Sequence, residues 1–348
     1  MLQQCQGIFR LSGRTGKAKL SDERMNFKCG ILLLVMGIIA PHCKEISGAK
    51  TLKLAHGLDV THPVHKGMVF MQDKVAELSS GALLMEIYPS QQLGTERQCL
   101  ELLQIGSLAI TKVSAAVMEN FAPKIQVLSL PYLFRSKDHY HKVLDGPIGK
   151  ELQEESEKYR LRGLTYFDAG YRSFYAKEPI RAPEDVQNMK IRVQESPTAM
   201  NLVRSFGGAP TPISWGELYT ALQQGVVDGA ENNPPSFYTS RHYEVCKYYT
   251  LNEHTAVPDI LVIGTSAWND LSEQEQGWLQ EAADQATIYQ RKVWAEAEEE
   301  ALAAVQKAGV EIIRPDKSAF ASYTEAELEK YKSNEEFYQL IERIQASQ

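Results

Sequence analysis

Arg172, Arg192 and Asn232 carry the most chemistry that can be read in this chain. Arg192 sits in Lys190-Ile191-Arg192-Val193, a run that reads as a short strand. Strand alternation places Ile191 and Val193 on a core face and turns Arg192, with Lys190, toward a cleft or solvent. A guanidinium offers a planar fork of donors that matches a carboxylate bidentately, which a lysine does not. Two readings stay open at this level: a clamp for an anionic ligand, or an arginine paired with a neighbour such as Glu195.

Other chemistries lack a motif. His62 and His65 are three apart, but no HExxH and no carboxylate lies in register, so a surface pair at a helix start is expected rather than a metal site. His139 and His141 stand beside Asp138 and Tyr140 in what reads as an exposed helix start with no assignable partner. The sequence contains no GxSxG, Walker loop or GxGxxG. Glu298-Glu299-Glu300 lies on a long polar helix and reads as a solvated face. Nothing here asks for an enzyme, a metal or a cofactor.

Positioning such residues requires strands and helices in alternation. Thr51–His56 alternates as a strand, and His62–Ser80 has helical spacing through Val64, Met68, Met71, Val75 and Leu78, stopping at Gly81. Leu83–Tyr88 is a second strand, Glu96–Gln104 a helix, and Leu108–Lys112 a third strand. Strand–helix–strand repetition implies parallel pairing in an α/β sheet. The second half adds strands at Leu164–Ala169, Lys190–Val193 and Val257–Ser266, with helices at Thr198–Gly207 and Glu217–Gln224. From Ser272 to about Gly309 runs one long Ala/Glu/Gln-rich helix, which suits an element lying across two lobes. The expected organisation is two lobes without a flexible linker, 50–169 plus 258–297 and 170–257 plus 298–348.

Composition narrows the partners. The chain has 348 residues, 43% hydrophobic and 23% charged, with 37 Lys and Arg against 44 Asp and Glu. A formal charge of −7 argues against nucleic acid, which needs a basic face. Residues 31–40 (ILLLVMGIIA) form an apolar block after Lys28 and before Ser47-Gly48-Ala49, the pattern of a cleavable signal peptide over 1–49. Translation could begin at Met1 or at Met25. Cys43 raises a lipoprotein alternative, although Ala40-Pro41-His42 is a poor lipid-attachment context. After removal of 1–49 the chain carries 30 basic and 41 acidic residues, and Cys99 and Cys246 are left either to bridge or to stand as buried thiols.

From about residue 52 to 315 the chain resembles the solute-binding proteins of tripartite ATP-independent periplasmic (TRAP) transporters. Eight segments in the family's order carry the resemblance: Tyr88-Pro89-Ser90-Gln91-Gln92-Leu93-Gly94, Leu130-Pro131-Tyr132-Leu133-Phe134, Gly170-Tyr171-Arg172, Ala182-Pro183-Glu184-Asp185, Lys190-Ile191-Arg192-Val193, Gly207-Gly208-Ala209-Pro210-Thr211-Pro212, Glu217-Leu218-Tyr219 and Val227-Asp228-Gly229-Ala230-Glu231-Asn232. The resemblance implies a two-lobed periplasmic-binding-protein-like α/β fold with hinge strands and a long helix crossing both lobes. It also implies that Arg192 clamps a ligand carboxylate, with Arg172 and Asn232 as further ligand contacts. Trp215 falls where the family often places a ring against the ligand, a core tryptophan being the other reading, and His254 matches a cleft-lining position. Glu96, at a loop-to-helix junction after Leu93-Gly94, could accept ligand hydroxyls or simply favour the helix dipole.

The implied protein is an exported, monomeric receptor that catalyses nothing. It would hand a small organic acid to integral membrane TRAP subunits. Ala230-Glu231-Asn232-Asn233-Pro234, with Arg172-Ser173-Phe174-Tyr175 and Glu253-His254, resembles members that bind hexuronates such as glucuronate and galacturonate. A C4-dicarboxylate or sialic acid is the alternative ligand; a periplasmic sugar-acid enzyme and a ligand sensor are the rival classes.

Overall fold

A computed structural model describes residues 48–347, which form one compact unit. The expected signal segment and the choice of start lie outside the described residues. Two mixed sheets organise the unit. The first has the order β2-β1-β3-β10-β4, from β1 (Lys50–Ala55), β2 (Leu83–Tyr88), β3 (Ile110–Ser114), β4 (Leu161–Phe167) and β10 (Asp259–Gly264). The second has the order β11-β9-β5-β8-β6-β7, from β5 (Arg172–Ala176), β6 (Lys190–Val193), β7 (Ala209–Pro212), β8 (Gly229–Asn232), β9 (Tyr248–Thr255) and β11 (Glu311–Ile313).

Parallel pairing holds only in part. β1 runs parallel to β2 and β3, and β6 to β7 and β8, as the local alternation implies. β10 inserts antiparallel between β3 and β4, and β5 lies antiparallel to β8 and β9. The reason is topological. The chain leaves the first sheet after β4, builds most of the second, and returns through 256–258 in the opposite sense.

Helix ends are set by local chemistry. α1 (Pro63–Leu78) has Pro63 in its first turn and the His62 ring accepting from Val64 N–H, while Gly81 takes φ +81° beyond its end. α2 (Glu96–Gln104) opens on a capping box between Thr95 and Gln98. The 35-residue crossing helix, Glu273–Lys307, opens on a second box between Ser272 and Glu275. Its Leu279, Ala282, Ala283, Ala286 and Trp294 pack into the core between α1 and the first sheet, and its Val305 into the core of the second. That helix therefore spans both lobes.

Two glycines permit its close approach. A side chain at Gly67 would meet the Gln290 Cβ at 2.8 Å, and Gly170, at φ +58°, would meet Glu298 Oε1 at 2.9 Å. The Gln290 amide in turn brackets Asp168 in the β4–β5 crossing, accepting from its N–H and donating to its C=O, both at 2.8 Å.

The C-terminal helix, Glu335–Ala346, departs from the expected allotment of 298–348 to the second lobe. Its Phe337, Leu340, Ile341 and Ile344 pack into the first-lobe core, because its amphipathic face finds the apolar flank of 123–152. Cys99 lies in that core and Cys246 beneath the second sheet; both are free and buried. Burial pushes their thiols up to about 11 and about 12.

His56, His62, His139, His242 and His254 are buried, and His65 and His141 half-buried. His65 pairs with His56 (3.0 Å), not His62, and His62 is buried with its Nε2 3.1 Å from Ser236 Oγ. His139 is also buried, bonded to Ile344 O at 2.8 Å, and His141 reaches Asp168 at 3.1 Å. Burial, aided by nearby cations, holds His56 at about 2 and both His62 and His242 at about 3. The unfolded chain binds these protons near pH 6.5, whereas the fold resists them until pH 2–3, so stability is lost as pH falls below 6.5. Each group contributes at most about 1.4 kcal/mol per pH unit in that window. Urea unfolding between pH 6.5 and 4.5 is therefore expected to show a steep loss, flattened in His62→Asn, which keeps a cap acceptor. An unchanged slope in that variant would contradict the assignment.

Candidate functional site

Residues of both sheets line a cleft with about 680 Å³ of non-protein space, part of it open solvent. Five of the six expected residues line it: Glu96, Arg172, Arg192, Trp215 and Asn232. His254 does not.

Arg192 emerges from β6 as alternation requires, with Ile191 and Val193 in the core and Lys190 exposed. Its side chain is nevertheless buried. Nε donates to Ile213 O at 2.9 Å, and Nη1 is buried without a protein partner. Glu195 forms no ion pair with it. Burial, with the Arg172 charge adding, lowers the Arg192 pKa from its ordinary value. The half-buried Trp215 ring stands beside it, its centroid 5.8 Å from Cζ. This guanidinium has two unsatisfied requirements, a counter-charge and acceptors.

Arg172 is placed differently. β5 pairs antiparallel with β8, matching Ser173 to Asn232 and Phe174 to Glu231. From there its Nε and Nη2 grip the Glu231 carboxylate, the Nη2 contact measuring 2.8 Å. Nη2 also donates to Glu231 O (2.8 Å) and Nη1 to Asn232 Oδ1 (2.9 Å). Four of its five N–H groups thus have protein acceptors, leaving one Nη1 hydrogen toward the cleft. Burial alone would raise Glu231, but the Arg172 charge and hydrogen bonds, with His254 nearby, outweigh it and hold the carboxyl at about 2. Asn232 spends its Oδ1 on Arg172 and on Asn233 N–H, which leaves its Nδ2 to donate.

His254 belongs behind this pair. It is fully buried on β9, 3.5 Å from Glu231 Oε2 and 3.1 Å from Asn252 Oδ1. Residues 250, 252 and 254 share the buried face of β9, which turns the ring to the back of the Arg172–Glu231 pair.

Across the cleft Glu96 is not a free acceptor. Oε1 takes a 2.7 Å bond from Lys112 Nζ, and Oε2 accepts from Ser114 N–H at 3.3 Å. Lys112 also reaches Asp259 Oδ1 at 3.1 Å. Burial alone would lower Lys112, but the two carboxyl groups outweigh it and raise it, so a buried ammonium sits between two acids. Lys112 and Asp259 went unmarked in the sequence, although a lysine inside the fully buried strand Ile110–Ser114 was a legible signal. Gln91 and Gln194 also line the cleft.

A two-lobed unit with hinge crossings and an inter-lobe cleft, which among the described residues holds one buried cation without an ion-pair partner, is a solute receptor of the periplasmic-binding type. Residues 54–336 match the model of the bacterial extracellular solute-binding proteins, family 7, and the chain belongs to that family. It is 36% identical to YiiZ of Salmonella typhimurium over 303 residues, 86% of this chain and 92% of that one. The TRAP periplasmic solute-binding protein of Bradyrhizobium sp. BTAi1, solved with galacturonate, is 36% identical with a TM-score of 0.83, covering 85% of this chain and 99% of its own. That of Pseudomonas putida F1, solved with D-glucuronate, is 33% identical with a TM-score of 0.83, covering 86% and 97%.

Removing one partner of a buried ion pair typically costs about 3–5 kcal/mol, because the survivor stays desolvated. Glu231→Ala is expected to lose that much in urea unfolding, and Arg172→Met/Glu231→Leu to recover most of it. Losses that simply add would show that the two charges are not coupled.

Proposed function

We propose that this chain is an exported periplasmic receptor that captures a hexuronate, glucuronate or galacturonate, and delivers it to TRAP membrane subunits as a monomer without turning it over. One observation carries the ligand class. Of the three buried cations of the cleft, Arg172 and Lys112 are already neutralised by Glu231 and by Glu96 with Asp259, and Arg192 alone keeps its charge. A monocarboxylate therefore docks at Arg192, and its hydroxyls donate to the Glu96–Asp259 end. A C4-dicarboxylate would need a second unpaired cation. Relatives of the same fold hold galacturonate and glucuronate, which supports this reading.

Trp215 and Asn232 complete the site. The ring offers a flat face to the C–H side of a pyranose, and Asn232 Nδ2 donates to a ligand oxygen. Capture couples to closure because the carboxylate binds one lobe and the hydroxyls the other; a ligand with equal affinity for both states would shift nothing. Closure strips water from the Arg192 contact and strengthens it. Micromolar affinity, about −8 kcal/mol, lies within reach of one bidentate pair, several hydrogen bonds and a stacked ring. The lobe division proposed is 50–169 with 258–297 against 170–257, the long helix serving both.

A thermal-shift screen across uronates, aldonates, C4-dicarboxylates and sialic acid tests the ligand class. A uronate at 100 times its Kd adds about 2.7 kcal/mol and raises Tm by several degrees. Stabilisation by dicarboxylates alone refutes the proposal. Calorimetry on Arg192→Lys is expected to show affinity falling roughly 10- to 100-fold, the worth of a charge-assisted bidentate contact. Undiminished binding removes the clamp.

A further inference from the structure

A second carboxylate bridges the lobes next to the cleft, and no bound acid is needed to hold it. Glu119 follows β3 of the first lobe and is buried. Its Oε1 accepts from Ser196 Oγ at 2.7 Å and from Thr198 N–H at 3.0 Å. Ser196 is the N-cap of the second-lobe helix Pro197–Ser205, which directly follows the strand bearing Arg192. The first turn of a helix has backbone N–H groups with no partner within the helix, and its dipole favours negative charge. The first lobe therefore supplies an anion to the second lobe's helix terminus. Neighbouring contacts repeat the bridge: Asn120 Nδ2 donates to Glu195 O at 2.7 Å, and Gln126 Nε2 to Thr198 Oγ1 at 3.0 Å. Ser114 Oγ reaches Gln194 Oε1 at 3.3 Å inside the cleft itself.

We propose that Glu119 is a closure latch: its carboxylate seats on the N-terminus of Pro197–Ser205 when the lobes close, and so sets the residence time of a ligand it does not touch. The inference rests on the cleft being the ligand site. Burial raises the Glu119 carboxyl from its ordinary value, with the Ser196 and Thr198 bonds opposing, and Oε2 has no partner. Solvation would relieve that cost in an open form. The latch is thus a strained but charge-complementary contact, firm enough to hold the closed state and releasable on opening. Glu119 is a positioning residue; specificity stays with Arg192, Trp215 and the Glu96–Asp259 end.

The test uses the whole mature protein with a donor and an acceptor dye, one on each lobe, and D-glucuronate as ligand, or succinate should the screen favour dicarboxylates. Failure of the uronate reading therefore leaves this test intact. Glu119→Ala is expected to speed ligand release about 10-fold with the association rate unchanged, and to lower the closed fraction at sub-saturating ligand. Glu119→Gln, which keeps the shape and an acceptor, is expected to give an intermediate effect. The ratio of glucuronate to galacturonate affinities should stay that of the unsubstituted protein, and Ser196→Ala should add nothing to Glu119→Ala. Release rates within twofold of the parent in both variants, with only the unfolding midpoint lowered, would make Glu119 part of a fixed pivot and overturn the latch.

Discussion

The cleft is organised around one deliberately unbalanced charge. Three buried cations stand among the carboxyl groups of Glu231, Asp259 and the half-buried Glu96, and the pairing is uneven. Glu231 is spent on Arg172, two acids converge on Lys112, and Arg192 is left with a carbonyl and an indole face. The cleft is consequently polar from end to end, positive where β6 enters and negative where β3 and β10 meet.

That imbalance explains the weight of structure behind the site. A buried guanidinium without a counter-charge is costly, and the fold must hold it rigidly while empty. The Arg172–Glu231 pair, braced by His254 and Asn252, fixes the strands next to it. The crossing helix braces the other side of the hinge through Gln290 on Asp168. The lobes are joined by the β4–β5 and β9–β10 crossings, by the long helix and by the stretch that leads from β11 back to the C-terminal helix. The net charge of the chain is negative, and a positive charge buried in the cleft is a local reversal of that sign.

How much of this was written in the chain depends on the range of the interaction. Short-range features were legible. The helix Glu96–Gln104 and the strands Leu83–Tyr88 and Lys190–Val193 follow from periodicity and turn residues, and alternation alone turned Arg192 away from the core. Partner choice between distant strands was not. The antiparallel insertion of β10 depends on the direction in which the chain returns through the hinge, and no window of sequence records that. The same blindness misplaced His254. The register of β9 against β5 decides which face it shows. The C-terminal helix advertised an apolar stripe without naming the surface that would cover it. Glu96 was read as acceptor or dipole charge; the ion pair with Lys112 is a third answer, set by a residue sixteen positions away.

The two buried thiols bear on how the protein reaches this state. Cys99 and Cys246 lie in separate cores, and each is held almost entirely as the protonated, unreactive form. Among the described residues no disulfide therefore staples one lobe to the other, and the contacts between them there are non-covalent. Folding of the described unit has no oxidation step to wait for and no mispaired disulfide to undo, so it proceeds alike whether its surroundings are oxidising or reducing.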